Sequence, residues 1–148
     1  MILISHRGNI SGKNLSKENS IEYISAALDK GYDVEIDVRV IDDSIWLGHD
    51  QPEQIVELDF LKKYENRLWI HCKTLESLGF FASTNFNYFF HDSDLATITS
   101  KGYLWVYPGN QPVKNSIAVL PEINTDDVSE AVGVCSDFIR NYAIGEIL

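Results

Sequence analysis

Seven short runs of apolar residues, rich in β-branched and aromatic side chains, punctuate this chain at 2–5, 34–40, 68–72, 88–90, 103–106, 117–120 and 132–139. Their length and composition are those of β-strands. Helical patterns lie between them. Residues 20–30 place Ile21, Ile24 and Leu28 at helical spacing, with Gly31 as the stop. Residues 53–64, 74–83, 93–101 and 125–131 are expected to form further helices. Strands that alternate with helices imply a parallel α/β layout.

The spacing of the runs limits that layout. They start near residues 2, 34, 68, 88, 103, 117 and 134, so the first two units exceed 30 residues and the later ones shrink to 14–20. The later units are too short for a full helix with its loops. A complete (β/α) barrel takes about 250 residues. The expected fold class is therefore α/β, a reduced (β/α) barrel of about seven parallel strands with helices shortened or missing in its second half. It forms a single domain over 1–148, and the tail 141–148 either fills the remaining gap or leaves the barrel open. The missing helices are expected to bare Phe80, Phe81, Phe86, Tyr103 and Trp105, an apolar patch suited to a homodimer.

Charge narrows the partners. Twelve Lys and Arg stand against 22 Asp and Glu, a formal net charge of −10. A nucleic-acid binder needs a basic stripe, and none exists here. No apolar run is long enough to span a membrane. The start, Met1 to Arg7, has neither a basic n-region nor a long apolar segment, which predicts no secretory signal and a cytoplasmic protein. Cys72 and Cys135 sit in apolar contexts without metal or redox spacing and are expected to be buried free thiols.

All four histidines fall at or just after the end of an expected strand: His6, His49, His71 and His91. Glu122 closes another. In parallel α/β proteins the carboxyl ends of the strands build the site. A single histidine there is ordinary, but four at separate strand ends predict a site. The segment Val34–Arg39 adds Glu35, Asp37 and Arg39 on one strand face. Two inward carboxylates are costly unless paired or metal-bound, and oxygen ligands suit Mg²⁺ or Ca²⁺. Pairing with Arg39 is the plainer alternative. Lys73 follows Trp69 and His71 on one face of the next strand and can meet an anionic substrate.

Taken in order, His6-Arg7-Gly8, Glu18-Asn19-Ser20, Glu35-Ile36-Asp37-Val38, His49-Asp50 and Ile70-His71-Cys72-Lys73 resemble the glycerophosphodiester phosphodiesterases, phospholipase-C-like enzymes on a TIM-type barrel. The likeness is dense over 2–73 and thinner beyond, where 135–142 looks like the family's last strand and its exit. The resemblance implies a metal-dependent phosphodiester hydrolase. It implies His6 and His49 as the catalytic pair, Arg7 and Lys73 on the phosphate, Glu35 and Asp37 on a divalent cation, and Glu18 supporting the site. His91 and Glu122 are additional candidates.

Two departures stand out. At position 71 the family has a third carboxylate ligand, and this chain has His71. Imidazole favours Mn²⁺ or Zn²⁺ over Mg²⁺ or Ca²⁺. Three outcomes follow: His71 ligates a different metal, Glu122 or Asp92 replaces the carboxylate, or the fold serves as a non-catalytic module binding phosphate esters or glycan phosphates. The second departure is the short segment after His49, which predicts an open site for a small-molecule or glycan phosphodiester. One histidine is expected to act as base and the other as acid, in either assignment.

Overall fold

The computed structural model describes residues 1–147. Ten strands form one sheet: β1 (Ile2–His6), β2 (Asp33–Ile41), β3 (Ser44–Leu47), β4 (Gln54–Val56), β5 (Leu68–Cys72), β6 (Asn87–Phe90), β7 (Ala96–Ile98), β8 (Leu104–Val106), β9 (Ser116–Val119) and β10 (Gly133–Ser136). Four short helices accompany them: α1 (Ile21–Asp29), α2 (Leu58–Lys63), α3 (Leu75–Phe81) and α4 (Ile139–Ile147).

The fold class differs from the expected parallel TIM-type barrel. The sheet is mixed and curls into a half-barrel. It is parallel along β6-β5-β2-β1-β10-β9-β8 and antiparallel where β3 joins β2, β4 joins β3 and β7 joins β8. Among the described residues no strand ladder joins β6 to β8, so the barrel does not close. The reason lies in the connections. A parallel crossover needs a dozen or more residues, usually with a helix. The segment after β6 instead forms β7, which turns back along β8. Residues 93–101, expected as a helix, therefore contain a strand, and 125–131 form no helix. The expected helix at 53–64 divides into β4 and α2, because the chain after β3 first completes a three-strand meander. The tail is helical and packs on β1 and β10, with Leu148 outside the described residues.

Local chemistry explains the elements that do form. Ser20 caps α1 by accepting from the Tyr23 amide, and α1 buries Ile24, Ala27 and Leu28. Thr74 and Ser77 make a reciprocal capping box on α3. Strand alternation then sorts the side chains by face. On β2, Val34, Ile36, Val38 and Val40 enter the convex-side core with residues of α1, α2 and α3. On the concave side, Ile4, Trp69, Phe89, Trp105, Ile117, Val119 and Cys135 fill the middle of the curl. Phe81, Phe86 and Trp105, expected in an exposed patch, are buried at 0%, 2% and 2% exposure. Trp105 is covered by the inward curl of the sheet, whereas Phe81 and Phe86 pack in the convex core with the helices. Both cysteines are free and buried. Among the described residues no helix is long and apolar enough to cross a membrane.

Gly48 marks the end of the β2–β3 meander at the site. Its φ is +151°, and a Cβ there would sit 1.9 Å from the Gln51 carbonyl oxygen. Gly48→Ala is expected to remove about 2–4 kcal/mol of unfolding free energy, read from urea denaturation.

Candidate functional site

The concave face changes character along the strands. Below lies the apolar layer. Above it, at the carboxyl ends of the parallel strands, alternation brings up His6 from β1, Glu35 and Asp37 from β2, and His71 from β5. Cross-strand register puts His6 beside Glu35 and Asp37 beside His71. His6, Glu35 and His71, with Arg7 and Asp137, line a cavity of about 610 Å³, whose walls also include His49, Lys73 and His91, while Asp37 is buried against Arg7 and His71.

Asp37 is the most enclosed member, at 0% exposure. Its backbone amide donates to Asn19 Oδ1 at 3.0 Å, and Asn19 Nδ2 donates back to its Oδ2 at 2.9 Å. Arg7 Nε lies 2.9 Å from the same oxygen. His71 Nδ1 lies 3.2 Å from Asp37 Oδ1 and 3.7 Å from Glu35 Oε2. Burial alone would raise the Asp37 pKa, but His71, Arg7 and Asn19 outweigh it and hold the carboxyl below its ordinary range. Burial would likewise lower the pKa of His71, yet hydrogen bonding to Asp37 and Glu35, with their charges, lifts it to about 9. Without a bound cation, His71 is thus an imidazolium that neutralises its carboxylate neighbours.

The donor set also suits a metal. Glu35, Asp37 and His71 each offer one ligand atom, all within 4.8 Å of one another. Glu35 Oε1 is buried without a hydrogen-bond partner, with the His6 ring 3.8 Å away, and Asp37 Oδ1 is opposed by the His71 ring at 3.2 Å. Buried carboxylate oxygens so sparsely partnered are costly, and a cation would satisfy them. Two carboxylates with one imidazole match a divalent metal of intermediate softness. Proton and metal compete for His71, since only the neutral ring ligates.

His6 is oriented by a residue that the sequence reading missed. Its Nδ1 lies 2.7 Å from Asp137 Oδ1, and Asn9 Nδ2 donates to the same oxygen at 2.9 Å. Burial lowers the His6 pKa, but the bond to Asp137 and the charge of Glu35 outweigh it and raise it above its ordinary value. Asp137 carries the proton-accepting role, so His6 holds Nδ1–H toward it and presents Nε2 on the other side. The position of Asp137, two residues beyond Cys135 on the last strand's concave face, was a readable signal. Asn19 stood in the Glu18-Asn19-Ser20 motif with no role assigned to it, and Asn9 gave no signal, because its partner Asp137 comes from a distant segment.

The other expected residues divide. His49 is half-buried at the cavity wall, its Nδ1 2.7 Å from Asp50 Oδ1. Lys73 lines the cavity, and among the described residues no carboxylate lies within 4 Å of its ammonium. His91 stacks on Tyr107 with ring centroids 3.6 Å apart. Glu18 sits behind Arg7, accepting from its Nη1 at 3.1 Å. Glu122 is turned away from the cavity and accepts from Ser136 Oγ at 2.9 Å and Tyr142 OH at 3.2 Å. Arg39, the plain partner for the β2 carboxylates, donates instead to the Gly48 and His49 carbonyls. Arg7 takes its place because the turn after β1 folds back over β2, with Arg7 in a left-handed conformation at φ +60°.

The proton on His71 has a pH consequence. Its folded pKa of about 9 lies above the ordinary 6.5. In metal-free buffer its contribution to stability is full below pH 6.5 and disappears as pH rises through 9. Asp37, whose folded pKa is depressed, contributes above its ordinary 3.8, and that contribution is lost as pH falls. Urea denaturation across pH is expected to show declines on both sides, with His71→Gln abolishing the alkaline one.

No protein-family model, curated protein or solved structure matches this chain.

Proposed function

We propose that the cavity is a metal-dependent phosphodiester hydrolase centre of the glycerophosphodiester phosphodiesterase kind, acting on a small-molecule or glycan phosphodiester. One observation carries this reading. Glu35 and His71 of the Glu35–Asp37–His71 donor set line the same cavity as Arg7, Lys73 and two carboxylate-oriented histidines, with Asp37 buried beside them. The motif resemblance over 2–73 supports it independently.

Glu35, Asp37 and His71 would hold a divalent cation, which would supply Lewis-acid polarisation to the phosphoryl oxygens. The Lys73 ammonium, free of carboxylate partners among the described residues, neutralises the phosphate, and Arg7 adds positive charge from beneath. His49, with Asp50 on Nδ1, accepts at Nε2 the proton of the attacking water or substrate hydroxyl as its oxygen bonds to phosphorus. His6, whose raised pKa favours the protonated ring, donates from Nε2 to the leaving alkoxide as its P–O bond breaks. The proton gained by His49 balances the proton lost by His6.

A second reading has one observation in its favour. With His71 protonated, the cluster neutralises its own carboxylates and leaves Lys73 and Lys13 on the cavity wall to bind an anion. That protein is a non-catalytic phosphate-ester module.

Calorimetry with Mn²⁺ separates the two. The hydrolase reading expects saturable binding, lost in Glu35→Gln, with release of close to one proton per metal at pH 7 as His71 is displaced into its neutral form. Proton release is read from the buffer dependence of the enthalpy. His6→Ala should keep Mn²⁺ binding while losing roughly 10²-fold or more of bis(p-nitrophenyl) phosphate turnover. Full turnover by His6→Ala removes the assigned acid. Absence of metal binding, with phosphate still bound, favours the module.

A further inference from the structure

The parallel strands have a second end, and side chains emerge there too. Along the concave face the period of two puts Asp33 before Glu35 on β2, Trp69 before His71 on β5, and Asn87 before Phe89 on β6. Register sets Asn87 beside Trp69. With Glu65, Lys101 and Tyr103 these residues line a second cavity, of about 400 Å³, at the amino ends of the strands. It shares no lining residue with the cavity at the carboxyl ends.

The polar groups of this cavity lack donors. Asn87 is 8% exposed, and its Oδ1 is buried with no hydrogen-bond partner. Asp33 Oδ2 accepts from Trp69 Nε1 at 3.0 Å, whereas Arg67 Nε stays 3.8 Å from its Oδ1. The Leu28 and Tyr32 carbonyls hold Arg67 there, accepting from its Nη2 at 2.8 and 2.7 Å. Burial raises the Asp33 pKa above its ordinary value, and the Trp69 bond and the Arg67 charge only partly offset it. Among the described residues no cationic group stands within 4 Å of the Glu65 carboxylate. A buried amide oxygen and two under-neutralised carboxylates fit a ligand that has several donors and a positive charge.

We propose that this cavity binds a small primary ammonium ion carrying a hydrocarbon group. An ammonium has three donors and no acceptor, which matches Asn87 Oδ1, Asp33 and Glu65. The hydrocarbon meets Ile2, Leu68 and the Tyr103 ring, which packs edge-on against Trp69 with ring centroids 4.9 Å apart. Both carboxylates disfavour an anion. A free amine and an amino acid present the same ammonium. Lys101, exposed at the cavity and with no carboxylate within 4 Å among the described residues, is placed to meet the carboxylate that only the amino acid carries. The site stands apart from the phosphodiesterase reading, and neither depends on the other.

The test reads the Trp69 indole N–H resonance in nitrogen–proton correlation spectra, since that group donates to Asp33 inside the cavity. Isobutylamine is expected to shift it saturably, and isobutanol, of the same shape but uncharged, to bind roughly tenfold more weakly or worse. Asp33→Asn, which keeps an acceptor for Trp69, and Asn87→Leu are each expected to raise the isobutylamine Kd roughly tenfold. Glu65→Gln, partly exposed and outside the core, carries the same expectation and covers the case in which thermal melting shows the first two to be unfolded. Leucine binding tighter than isobutylamine, with the gain lost in Lys101→Met, makes an amino acid the source of the ammonium. Weaker binding by leucine makes it a free amine. No saturable shift with isobutylamine, equal affinity for isobutanol, or an unchanged Kd in the folded variants overturns the site. None of these outcomes touches Mn²⁺ binding or turnover at the carboxyl-end cavity, so failure here and failure of the phosphodiesterase reading are distinguished.

Discussion

Two carboxylates on the concave face of β2 set the terms for the upper half of this molecule. Glu35 and Asp37 are 2% and 0% exposed. Charges so placed are tolerated only with partners. The partners arrive from three separate segments: Arg7 from the turn after β1, Asn19 from the loop before α1, and His71 from β5. Each distant segment is thereby fixed in position. The left-handed conformations of Arg7 and Asn19, at φ +60° and +59°, belong to this arrangement, because they let the β1–α1 connection fold back onto β2.

The same alternation that turns Glu35 and Asp37 inward turns Val34, Ile36 and Val38 outward into the helix-covered core. One strand thus serves a packed convex layer and a charged concave one. Curling completes the separation. Trp69, Phe89 and Trp105 meet in the middle of the curl, with ring centroids 5.6 Å apart for the Trp pair and 4.7 Å for Phe89 and Trp105. Trp105 of this aromatic layer lines the cavity, and Phe89 stacks on the His71 ring at 4.8 Å. Where β6 and β8 leave the sheet unjoined, aromatic packing does the work that strand pairing does elsewhere.

Much of the site was legible as spacing. His6, Glu35, Asp37 and His71 lie on strands whose period of two fixes a face, with Lys73 one residue beyond β5, so inward placement followed once the strands were recognised. The residues that were not legible act through turns. The place of Asp137 on the concave face was readable, but its pairing with His6 across 131 positions of sequence is announced by no local pattern. Arg39 was the nearest basic residue on the right face, yet the hairpin carbonyls claim it. Glu122 was placed at a strand end, but the 3-10 turn at Pro121–Ile123 rotates it toward Ser136 and Tyr142. The misread helices at 53–64 and 93–101 share a cause. Their apolar residues satisfy helical and strand spacing alike over such short lengths, and the neighbouring strand edge decided between them.

By itself, the sequence determined the strands that carry the chemistry, the face on which each functional side chain emerges, and the shortage of helices in the second half. Those follow from periodicity and length, which are local. Tertiary structure alone decided that the sheet would stay mixed and open, that Arg7 would pair with Asp37, and that Asp137 would orient His6. These depend on which edges and turns meet after the chain has curled, and the compensation of a buried charge is a property of that meeting.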